Sequence, residues 1–152
     1  MLRRGCGLLA LVMGMTLTAH GAAAQTLGQK LSTDEIARLG TLPEYEVDGI
    51  RLRVMPGVPE DGEGTWVLNA QGVVGISRHE VMVTGVPQAD LQARLGTLLP
   101  QPLSQQHFAP TGISVLRFAD FDQAVQGYRA LRDALPEATV RLSITFGRRL
   151  PR

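Results

Sequence analysis

The sequence predicts an α+β fold built on an antiparallel sheet, and three observations carry that expectation. Residues 81–83 read as a short strand followed by a helical pattern, with Pro87 near the first turn and Leu91, Leu95 and Leu98 along one face. Residues 120–135 give a second helix. Asp120 caps it, Gln123 stands in the capping-box position, Phe121, Val125, Tyr128, Leu131 and Leu135 recur at helical spacing, and Pro136 ends it. Residues 140–146 alternate strictly, with Val140, Leu142, Ile144 and Phe146 on one face and Arg141, Ser143 and Thr145 on the other.

Between the two helices, residues 99–109 contain Pro100 and Pro102, which confine any strand there to a sheet edge. Pro110-Thr111-Gly112 marks a turn, and residues 113–118 form the next strand. The order strand, helix, strand, strand, helix, strand is that of the ferredoxin-like split βαβ arrangement (βαββαβ), in which both helices cover one sheet face. It is expected over residues 80–146. Leu142 and Ile144 are expected in its core, where truncation to Ala costs about 2–5 kcal/mol.

The N-terminal segment reads as an address. Arg3 and Arg4 precede an apolar run at residues 8–17, and Ala22-Ala23-Ala24 supplies the small residues a signal peptidase reads. Residues 1–24 are therefore expected to be a signal peptide cleaved after Ala24, sending the protein to the periplasm or outside the cell. The apolar run is shorter than the ~20 residues of a membrane span. Cys6 precedes that run rather than following it, so a lipid anchor is not expected. Cleavage removes the chain's one cysteine and takes its 15 basic residues to 13, against 14 acidic ones. The remaining 128 residues hold no thiol, which excludes a disulfide framework and a cysteine-rich zinc site.

Residues 25–79 are expected to pack on the main domain as a helix, an acidic loop and a hairpin. Residues 25–40 read as one helix, with a Ser32/Glu35 capping box, an Ile36/Leu39 stripe and Gly40 at the stop. Residues 41–64 read as loop around one short strand at 50–55. Glu44, Glu46, Asp48, Glu60, Asp61 and Glu63 lack the spacing of a calcium loop and read as solvated. Residues 65–69 and 73–77 form a hairpin across Ala70-Gln71-Gly72.

The sequence offers no catalytic signature, so no enzyme is expected. Ser77, His79 and Glu80 resemble a Ser/His/acid set only in composition, because neighbours on an extended chain point to opposite faces. His79 and His107 lack metal-ligand spacing, and neither a metal nor any other cofactor is expected. Gly62-x-Gly64 and Gly72-x-x-Gly75 lack the strand-turn-helix context of a phosphate loop. A net charge near zero and the lack of aromatic pairs on the middle strands argue against nucleic acid.

The C-terminal residues 147–152 form a basic tail. Arg141, Arg148, Arg149 and Arg152 fall in twelve residues without an acid. A segment leaving a strand in this way suits strand addition in a partner's groove. One resemblance bears on it, carried by Glu80-Val81-Met82-Val83, the helix at 89–96, Gly112-Ile113-Ser114-Val115-Leu116-Arg117-Phe118 and the helix at 124–136 with its Ala-Leu-Arg-x-Ala-Leu-Pro ending. These residues resemble the propeptides of subtilisin-family proteases and related stand-alone inhibitors, over about the last half of the chain. Where those propeptides carry a valine strand and then a processing site, this chain has Thr139-Val140-Arg141-Leu142-Ser143-Ile144-Thr145-Phe146, and no protease domain is expected after it. The resemblance implies a protein partner of the subtilisin-type protease class, against which the open sheet face would pack. It also implies a partner-binding tail of Arg148, Arg149, Leu150, Pro151 and Arg152, with the last three nearest the catalytic serine. A generic ferredoxin-like binding or scaffold module is the alternative.

Overall fold

A computed structural model describes residues 25–147. It is an α+β structure with one seven-stranded antiparallel sheet and three helices. In chain order these are α1 (Thr33–Arg38), β1 (Glu44–Val47), β2 (Ile50–Val54), β3 (Thr65–Asn69), β4 (Val74–Thr84), α2 (Gln88–Leu95), β5 (Ser104–Phe108), β6 (Ile113–Arg117), α3 (Phe121–Ala134) and β7 (Thr139–Thr145).

The long strand β4 organises the sheet. Its first half pairs with β3, from Val74 opposite Leu68 to Ser77 opposite Thr65. Its second half pairs with β6, from Glu80 opposite Arg117 to Val83 opposite Ser114. Strand β7 runs along the other edge of both halves. Beyond β3 lie β2 and β1, and beyond β6 lies β5. Between Ser77 and Val81 β4 advances four residues while β7 advances only two, from Ile144 to Leu142. This bulge of two extra residues preserves the alternation of faces, so Val74, Ile76, Glu80, Met82 and Thr84 share one side.

Two apolar layers follow from that alternation. On one side α2 and α3 pack on Val67, Val81, Val83, Leu116 and Val140, with Leu52 and Val47 of the β1–β2 hairpin closing over α3. On the other, Ile36 and Leu39, with Leu31 and Leu42, cover Met55, Trp66, Leu68, Val74 and Ile76.

Several sequence expectations change here. The helix expected over residues 25–40 is only Thr33–Arg38, although its Ser32/Glu35 capping box forms as read. A turn over residues 26–29 leads instead into a short pairing with the β4 edge, with Gly28 N donating to the Val74 carbonyl, Val74 N to that of Gln29, and Leu31 N to that of Gly72. Backbone bonds to a strand edge win over a helix with one narrow apolar stripe.

The loop expected at 41–49 holds β1, joined to β2 by Asp48-Gly49, both with positive φ (52° and 72°), the signature of a type I′ turn. The strands read separately at 73–77 and 81–83 are one strand, β4. The edge strand expected within 99–109 is present as β5, pairing with β6 alone. On β7, Val140 is buried, but Leu142 and Ile144 are half-buried against the core. Their outer strand lies at the margin of the helix layer, so the full core cost does not apply to them.

Candidate functional site

Strand alternation and an incomplete second layer leave one stretch of the sheet without a helix over it. Glu80, Met82 and Thr84 of β4 face the side that α1 covers only over the β2–β3 half of the sheet. By register, Val115 lies beside Met82, with Gln106 beyond it and Arg141 on the other flank. Phe108 lies opposite Ile113, and Arg117 opposite both Glu80 and Ser104. The result is a helix-free face with Met82, Val115 and Ile113 as its apolar middle, Phe108 on its outer strand β5, and Arg117 and Arg141 beside it.

At the centre of the sheet, the β4 bulge joins two strands end to end. His79 takes a left-handed backbone (φ 62°), its N–H donates to Ser77 Oγ at 3.2 Å, and its carbonyl accepts from Phe118 N at 2.9 Å. Its ring Nε2 and Thr65 Oγ1 share a hydrogen bond of 2.7 Å. Burial pushes the His79 pKa down, with Asp120 opposing and Arg117 reinforcing the shift. Ser77 is fully buried and its hydroxyl donates to the Ser143 carbonyl at 3.4 Å. Ser77 and His79 therefore meet through a backbone amide, at a left-handed residue rather than along an extended strand, and the ring is engaged by Thr65.

The acidic loop closes over the same junction. Arg78 forms an ion pair with Asp61 and donates through Nη1 to the Glu63 carbonyl at 2.6 Å, while Arg117 Nη2 lies 3.1 Å from Glu63. The hydrogen bond from Arg78 holds the Asp61 pKa down to about 2. Gly64 makes the approach possible: its φ is 90°, and a β-carbon there would run into the Ser77 carbonyl. Two of the acids read as solvated thus act as clamps on β4 and β6.

No family model, curated protein or solved structure matches the chain.

A third cluster lies between the β1–β2 turn and α3, in an open cleft of about 920 Å³. Tyr128 Oη donates to Asp48, and Arg132 Nη1 donates to Asp48 Oδ1 at 2.7 Å and to Tyr128 Oη at 2.6 Å. Burial, then the Asp48 contact, pushes the Tyr128 pKa up, so the phenol stays protonated and serves as a donor. The cluster pins the hairpin to α3; it pairs no nucleophile with a base. Sequence reasoning missed it because the Asp48-Gly49 turn signal between apolar strands went unused.

Of the histidines read from the sequence, His79 bonds Thr65 and His107 Nδ1 lies 2.9 Å from Ser114 Oγ, on different strands. Among the described residues, no group of three His, Cys, Asp or Glu could hold a metal ion, and no helix is long and apolar enough to cross a membrane. The expected signal peptide (residues 1–24) and the tail residues Arg148, Arg149, Leu150, Pro151 and Arg152 lie outside the described residues.

Proposed function

We propose that this is an exported, non-catalytic protein-binding module that acts on a subtilisin-type serine protease as a propeptide-like inhibitor or folding chaperone. The observation that carries the reading is the helix-free face around Met82, Val115, Ile113 and Phe108, an apolar patch on a sheet whose opposite side packs against α2 and α3. Phe108 leaves 41% of its surface in water, which a protein partner would remove. The antiparallel neighbours β7, β4, β6 and β5, linked through α2 and α3, support the finer ferredoxin-like split βαβ reading of residues 80–146. The partner would bury this face, and the tail beyond Gly147 would lie extended in the substrate cleft, where backbone pairing needs no catalytic group of its own.

The test is inhibition and refolding of secreted subtilisin-type proteases by the purified protein, by a form lacking residues 148–152, and by Met82→Asp/Val115→Asp. Expected are inhibition or faster protease refolding by the intact protein, weakening on loss of the tail, and loss with the face variant while the fold is retained. A protein that neither inhibits nor assists any such protease overturns the reading.

A further inference from the structure

We propose that the outer edge of β5 is a self-association surface, through which two copies of this chain pair antiparallel and join their sheets into one. The proposal goes beyond the protease reading and stands whether or not a protease is the partner.

An unpaired strand edge offers a row of free N–H and C=O groups, and proteins commonly guard such edges with charge. Two outer strands of this sheet carry such guards: Glu44 and Glu46 on β1, and Arg141 on β7. Strand β5, Ser104-Gln105-Gln106-His107-Phe108, has no Lys, Arg, Asp or Glu, and pairs with β6 alone. Exposed apolar side chains also gather along this edge. Of the six exposed large hydrophobic residues among the described residues, three are Leu99 (78%), Leu103 (70%) and Phe108 (41%), on or before β5.

The sequence around β5 is self-complementary about Gln106. Pro102 and Pro110 lie four residues to either side, and each lacks the N–H that a longer ladder would need. Gln106 facing its own copy puts Ser104 opposite Phe108 and Gln105 opposite His107 of the second copy, and Pro102 opposite Pro110. All five strand residues then pair, and the ladder stops at a proline at each end. With no charged residue on the strand, the pairing brings no like charges together. A two-fold axis of this kind runs perpendicular to the sheet. Both helix layers fall on one side, and the two helix-free faces merge into one surface of twice the width.

Sedimentation of the full chain across concentrations tests the association, and thiol crosslinking in a Cys6→Ser background tests the register. Expected are a reversible dimer and its loss with Gln106→Lys, which sets two like charges at the axis. Gln106→Cys should crosslink under mild oxidation, because directly opposed antiparallel residues have Cα atoms about 4.5–5.5 Å apart. Ser104→Cys should not, since its own copy lies four residues along the pair, about 14 Å away. A chain that stays monomeric at every concentration, a dimer indifferent to Gln106→Lys, or equal crosslinking of both cysteine variants overturns the proposal.

Discussion

The ring of Phe118 lies directly against the backbone of Gly127, in the middle of α3, where a β-carbon on the glycine would approach Phe118 Cε1 to 2.5 Å. Glycine inside a helix costs about 1 kcal/mol relative to alanine. Here that cost lets the helix come close enough to cover a ring that is 1% exposed. Gly127→Ala should therefore destabilise the protein, by about 1–2 kcal/mol net, because overpacking outweighs the gain in helix propensity. Urea unfolding measures it. An unchanged or raised midpoint would mean that the ring moves aside freely.

Core position and margin position should separate in the same assay. Leu116 is fully buried beneath the helices, and Leu116→Ala should cost about 2–5 kcal/mol. Leu142 is half-buried on β7, and Leu142→Ala should cost about 1–2 kcal/mol because less surface leaves water there on folding. Equal losses would show that β7 is as enclosed as β6.

His79 has a conformational requirement and a titration, and substitutions separate them. Asparagine tolerates the left-handed backbone and a β-branched residue does not, so His79→Val should lose about 1–3 kcal/mol more than His79→Asn. The folded-state pKa of His79 is lowered by burial. The unfolded chain then takes up the proton first, and stability contributed by the neutral ring is present above the unfolded value near 6.5. It is lost as pH falls through the folded pKa. Unfolding curves should show this slope in the wild type and a flatter one in His79→Asn.

For Asp61, NMR titration of the carboxyl should give a midpoint near 2, with Arg78→Met returning it to the ordinary carboxylate range. The sign is that of a depressed acid. The clamp is complete above the unfolded pKa, near 3.9, and released as pH falls toward 2. A wild-type midpoint near 3.9 would show that Arg78 and Asp61 do not pair in solution.

Much of the fold was legible wherever a period was long enough to read. The helix at 120–135 and the alternation at 140–146 appear as α3 and β7 because their residues repeat the geometry of one face, and the proline-marked segment appears as β5 because proline confines a strand to a sheet edge. Short or two-sided segments were not legible. Residues 25–31 carry no strong pattern and take their conformation from pairing with Val73 and the start of β4 at Val74. The Asp48-Gly49 turn was visible as a dipeptide, yet the strands it joins have only four and five residues.

By itself the sequence determined an α+β chain with two amphipathic helices over a sheet, because periodicity along one segment reports which side of that segment avoids water. Only the tertiary structure decided that β4 is continuous through a bulge at His79, which joins what read as an extension and a domain into one sheet. It alone brought Asp61 and Glu63 to Arg78 and Arg117, and Asp48 to Tyr128 and Arg132, contacts made across 15 to 84 residues of chain. Such contacts leave no local repeat, since each depends on where two distant strands and a helix meet. The bare sheet face is decided in the same way: alternation marks Met82 and Val115 as neighbours of a surface, and the placement of α1 over the other half leaves that surface open.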